Sequence, residues 1–69
     1  MNINWIDGFC IKVNADKNKV VISANKEGLL SLAEICSSLA GSDIIGGHVH
    51  LDQYNSLEND SAELIIGKI

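Results

Sequence analysis

The residues best able to do chemistry in this chain are His48, His50 and Asp52, spaced as His-x-His-x-Asp. On a strand that spacing places all three side chains on one side, with neighbouring Cβ atoms about 7 Å apart. A tetrahedral zinc site needs three or four ligands converging at roughly 2 Å, so Glu63 or Cys10 would have to complete the set from adjacent strands. The same residues serve equally as an exposed recognition patch, or as histidines hydrogen-bonded inside an interface and titrating near neutral pH. Cys36 with either histidine is the one conceivable nucleophile pair, but Cys36 falls on an apolar helical stripe, where a thiol is expected to be inert. Gly46-Gly47 belongs to no GxxxxGK[ST] or GxGxxG phosphate loop and reads as a turn. The expectation is a non-enzymatic chain with no catalytic residue, no cofactor and no metal ligand set.

Alternating patterns position these groups. Phe9, Ile11 and Val13 alternate with Cys10 and Lys12, which is the period of a strand with one buried face. Asn14-Ala15-Asp16-Lys17-Asn18 is turn chemistry, and Lys19–Ser23 is a second β-branched run, so the pair reads as a hairpin. Ile3–Ile6 is either a further short strand or an extended arm, set off by the turn Asp7-Gly8. The period then changes to 3.6: Leu29, Leu32, Ala33, Cys36, Leu39 and Ala40 share a stripe, with Ser31, Glu34, Ser37 and Ser38 largely off it. Asn25 is suited to cap that helix, Glu27 to meet its positive end, and Gly41 to stop it. Val49 and Leu51 alternate with His48, His50 and Asp52 as a third strand, and Ala62–Ile66 forms a fourth with Glu63 and Ile65 on one face.

The order β-β-α-β-β predicts an α+β fold in two layers, one amphipathic helix on a mainly antiparallel sheet of four strands, five if Ile3–Ile6 joins. One helix covers one face. The other would present Cys10, Lys12, Val21, Ser23, His48, His50, Asp52, Glu63 and Ile65, a mixed surface suited to a second copy or a different protein.

At 69 residues the chain reads as one domain spanning residues 1–69, too short for a multi-step enzyme with its own cofactor domain. Hydrophobic residues make up 46% and proline is absent, so the chain should fold and carries no proline-rich linker. Charge divides unevenly. In residues 1–26 four lysines against two aspartates leave +2; in residues 27–69 seven acids against Lys68 leave −6. That acidic half, in a chain without arginine, disfavours direct nucleic-acid contact and favours a basic protein partner. Cys10 and Cys36 are too few for a disulfide scaffold and read as buried or half-buried thiols. No apolar run approaches a membrane span, and Met1–Asp7 lacks the pattern of a secretory leader. The expectation is a reduced, cytoplasmic protein.

Between the third and fourth strands, Asp52, Tyr54, Asn55, Glu58, Asn59 and Asp60 form an acidic connection with one tyrosine. It serves either as a solvated loop whose Tyr54 and Leu57 fold back on the core, or as a recognition loop anchored by Tyr54.

From Asn25 onward the chain resembles the immunity protein 32 family of bacterial polymorphic-toxin systems. The likeness is carried by Glu27-Gly28-Leu29 and Leu32-Ala33, then His48-Val49-His50-Leu51-Asp52, Tyr54-Asn55-Ser56-Leu57-Glu58 and Glu63-Leu64-Ile65-Ile66. Gln53 and Gly67 stand where acidic side chains would be expected. The resemblance implies a protein made beside a toxin gene that binds and neutralises its cognate toxin, a basic nuclease domain being one toxin class that would complement the acidic half. On that reading His48, His50, Asp52, Tyr54, Asn55, Glu58 and Glu63 carry the interaction. The alternative is a small homodimeric structural or regulatory module that pairs through its uncovered sheet face.

Overall fold

A computed structural model describes residues 3–43 and 45–69; Met1 and Asn2, the first residues of the Met1–Asp7 segment that lacks a leader pattern, lie outside the described residues. The elements are β1 (Ile11–Asp16), β2 (Lys19–Ala24), α1 (Lys26–Ala40), β3 (His48–Leu51) and β4 (Leu64–Gly67). The α+β class and the element order are those the periodicities give. The strands do not form one sheet, however: β1 pairs antiparallel with β2, and β3 with β4, as two separate hairpins.

The reason lies at the free edge of β1. Its outward main-chain groups are taken up by the connection before β4 instead of by a regular strand. Glu58 N–H donates to the Ile11 carbonyl at 2.9 Å, Ala62 N–H to the Val13 carbonyl at 2.8 Å, and Val13 N–H to Ser61 Oγ at 3.2 Å. Two residues of β1 thus face a longer stretch of loop, which holds the hairpins together without a ladder.

No fifth strand forms at Ile3–Ile6. The segment is an arm whose Ile3 and Trp5, with the following Phe9, pack on the core, the Trp5 and Phe9 rings stacking at 4.5 Å. Ile6 N–H donates to Ser31 Oγ at 3.0 Å, and the same hydroxyl donates to the Glu27 carbonyl at 2.8 Å.

Asn25 caps α1 and does more. Its Oδ1 accepts from Gly28 N–H at 2.8 Å and Cys10 N–H at 3.0 Å, while its Nδ2 donates to the Gly8 carbonyl at 2.8 Å. One amide therefore ties helix, hairpin and arm together. At the other end Gly41 N–H returns to the Ser37 carbonyl. With no basic residue in the last turn, Lys68 supplies the charge there, donating to the carbonyls of Ala40 and Ser42.

The core consists of Ile11 and Val13 from β1, Ile35 and Leu39 from α1, Val49 and Leu51 from β3, and Leu57 from the connection. Here the helical stripe read from the sequence is corrected. Gly28, Ser31, Ile35 and Leu39 are buried, with Leu32 partly so, whereas Leu29, Ala33, Cys36 and Ala40 face solvent. The close approach of Gly28 to the first hairpin and the Ser31 tie to the arm decide which side faces inward. Cys10 and Cys36 are likewise both exposed, not buried.

Ser31→Ala should destabilise the fold by about 1–2 kcal/mol, because it strands the Ile6 amide next to the core. Urea unfolding followed by Trp5 fluorescence measures the change, and an unaltered midpoint would show that the arm does not depend on this hydroxyl.

Candidate functional site

The β3–β4 hairpin sorts its side chains by alternation. Val49 and Leu51 point into the core, leaving His48 and His50 on the outer surface. In register, His50 stands opposite Ile65 and His48 opposite Gly67. Ile65 is exposed, and Gly67 offers no side chain to cover the His48 ring. The two imidazoles meet edge to face with centroids 4.8 Å apart. Each is held by its Nδ1: His48 contacts the Gly46 carbonyl at 3.1 Å, and His50 contacts Glu63 Oε2 at 3.2 Å. The side chains of His50 and Glu63 are about half exposed, so this pair contributes little to folding and stays accessible to solvent.

Beyond β3 the chain folds into a loop by its own hydrogen bonds. Asp52 Oδ1 accepts from the amides of Tyr54 and Asn55 at 2.9 and 3.1 Å, and its main-chain carbonyl accepts from Asn55, Ser56 and Leu57. Asn55 closes the other side, with Oδ1 accepting from Asp52 N–H and Nδ2 donating to the His50 carbonyl, each at 3.1 Å. Gln53 Oε1 receives Asp60 N–H at 2.9 Å, steadying Asp60 in its left-handed conformation at φ 66°. The short polar side chains of Asp and Asn suit such turns because they bond the backbone a few residues on.

Between them the two alternatives for this connection divide its apolar residues. Leu57 folds back into the core; Tyr54 does not, standing 89% exposed at the loop tip.

The seven candidate residues therefore separate into groups. His48, His50 and Glu63 are brought together on the outer face. Asp52 and Asn55 shape the loop, and Tyr54 projects from it. Glu58 turns instead toward the first hairpin, where its amide bonds Ile11 and its carboxylate lies beside Cys10. Next to it, Lys12 Nζ donates to the Asn59 carbonyl, a tie across the connection that strand periodicity did not signal. Among the described residues, no three His, Cys, Asp or Glu side chains are grouped as a metal set.

Cys10 reaches the surface, yet local desolvation and then the Glu58 carboxylate, by charge and by hydrogen bond, push its thiol above the ordinary value of 9.0. The thiolate is the reactive form, so Cys10 alkylation should be slow at pH 8 and should keep climbing beyond the usual thiol range. Glu58→Gln removes the nearby negative charge, lowers that pKa and should speed alkylation at pH 8 about twofold or more. Mass-resolved iodoacetamide labelling across pH checks this; identical profiles for the two proteins would contradict the Glu58 contact.

The arrangement is thus a pair of half-exposed polar groups, His50 and Glu63, beside an aromatic ring raised on a braced loop. In the family comparison, immunity protein 32 matches residues 19–69, which include β2, α1, both strands of the second hairpin and the loop carrying Tyr54. The chain belongs to the immunity protein 32 family. Neither the curated proteins nor the solved structures give a match. No helix among the described residues is long and apolar enough to cross a membrane.

Proposed function

We propose that this chain is a cytoplasmic, non-catalytic immunity protein that binds a cognate toxin and blocks it through the outer face of the second hairpin. The observation that carries the reading is the exposure of Tyr54 on a loop whose Asp52 and Asn55 side chains are spent on bracing it. A large aromatic ring held clear of the core has no folding role to explain its position, and rigid aromatic anchors dominate binding energy at protein interfaces. His48, His50 and Glu63 supply adjacent polar contacts, Glu58 extends the acidic surface toward the first hairpin, and Asp52 and Asn55 act by fixing the loop.

Electrostatics favours a basic partner. Seven acids in residues 27–69 face a single lysine, and Lys68 has its ammonium turned to the end of α1. A net negative charge accelerates encounter with a positive groove such as that of a nuclease, an effect that weakens as salt screens it. Direct nucleic-acid binding is opposed by the same charge.

The reading is tested by capturing partners of the tagged chain from producing cells at low and high salt. One toxin-domain protein in near-equal amount, recovered less well at high salt, is the expected result. Recovery of the chain alone from cells shown to make the toxin would overturn it.

A further inference from the structure

The first hairpin carries an unused edge. Lys17-Asn18 is a two-residue connection, so Asp16 and Lys19, which flank it, form a hydrogen-bonded pair. Alternation then makes Asn14·Val21 and Lys12·Ser23 bonded pairs and turns the main-chain groups of Ile11 and Val13 on β1, and of Val20 and Ile22 on β2, away from the partner strand. On β1 those outward groups meet Glu58, Ser61 and Ala62. On β2 no hydrogen bond reaches Val20 or Ile22 from another segment of the described residues.

The exposed edge is apolar. Val20, Val21 and Ile22 are 61%, 48% and 43% exposed. Edge strands are normally blunted by a proline, a bulge or an inward charge. β2 has a continuous register, the chain has no proline, and its lysine stands at the strand end.

We infer that β2 is the pairing edge of a homodimer, in which two copies join β2 to β2 antiparallel and build one sheet in the order β1-β2-β2-β1. Self-complementarity selects the occupant and the register. With the two-fold axis at Val21, Val20 of each copy faces Ile22 of the other, exchanging both N–H···O bonds, and Val21 faces its own counterpart. Apolar residues then meet only apolar residues. Lys19 falls opposite Ser23 of the second copy, so the strands oppose no like charges. The strip is far smaller than a standard interface, which makes the dimer weak and reversible, assembling over roughly 10 µM to 1 mM.

The register gives the test. Val21 points to the solvent side with Lys12 and Asn14, away from the core, so substitutions there leave the fold intact. In sedimentation equilibrium, Val21→Lys and Val21→Glu should each be monomeric, and an equimolar mixture should recover dimer. As a second readout, Val21→Cys in a Cys10→Ser, Cys36→Ser background should oxidise to a disulfide dimer, since a non-hydrogen-bonded pair sets Cα atoms about 4.5 Å apart, within disulfide reach. Ser23→Cys in that background should not. A parent chain that stays monomeric at about 1 mM, or a Val21→Lys variant that still dimerises, overturns the proposal. So does a monomeric parent whose Val21→Lys variant loses toxin capture, because the edge then serves a strand of the toxin.

Discussion

Replacing Gly28 with alanine is expected to destabilise the fold by about 2 kcal/mol, although glycine-to-alanine changes inside helices ordinarily stabilise by about 1 kcal/mol. A Cβ at this position would lie 2.6 Å from the Cys10 carbonyl oxygen, 2.9 Å from Ile11 Cγ1 and 3.0 Å from Ala24 Cβ. The closest of these is main chain and cannot rotate aside. Either α1 lifts from the first hairpin or the hairpin shifts, and both disturb Ile11, which is fully buried. For a domain of this size the loss corresponds to about 10 °C in Tm. Gly41→Ala is the control: its backbone is already right-handed, and its nearest contact would be an ordinary 3.6 Å. Thermal unfolding of both variants should separate them clearly. Equal melting temperatures would mean that α1 does not approach the hairpin this closely.

The second large effect concerns binding. Tyr54→Ala should leave stability within about 0.5 kcal/mol, because the ring is exposed and the loop is held by Asp52, Asn55 and Gln53. The same substitution should weaken toxin binding by at least about 2 kcal/mol, some thirtyfold in Kd. Glu63→Lys removes the carboxylate paired with His50 and reverses a surface charge. It should act mainly on the association rate and flatten its salt dependence. Isothermal titration together with stopped-flow association distinguishes the two. A Tyr54→Ala protein that binds as tightly as the parent would remove the anchor from the account.

Some of this organisation is written locally, and some is not. The cap at Asn25, the stop at Gly41 and the outward His48 and His50 follow from short-range rules, and the structure has them. The buried side of α1 does not follow, because Leu29, Leu30, Ala33, Cys36 and Ala40 spread apolar character over much of the helix. The side is chosen by a glycine that admits another backbone and by a serine that binds the arm, neither of which a hydrophobic pattern weighs. The division into two hairpins was hidden for a similar reason. The segment bonding to β1 is a polar loop whose contribution comes from the amides of Glu58 and Ala62 and the hydroxyl of Ser61, and main-chain donors leave no periodic trace.

The candidate site shows the same contrast. Of the residues grouped by strand alternation, His48, His50 and Glu63 share a surface, whereas Asp52 lies beyond the end of β3 and turns its carboxylate to the Tyr54 and Asn55 amides instead of standing beside the histidines. Those named in the polar connection are heterogeneous: Asn55 bonds the backbone, Tyr54 projects, and Glu58 faces Cys10. Side-chain type gave their polarity but not its direction, which depends on how the loop closes on Leu57.

The proposal that this chain neutralises a toxin by binding it is tested most directly by titrating the purified chain into the purified cognate toxin domain recovered with it while following toxin activity. The account predicts inhibition complete at one equivalent, with the Tyr54→Ala, Glu63→Lys double variant needing a large excess. Full toxin activity at saturating chain, or undiminished inhibition by the double variant, would contradict it.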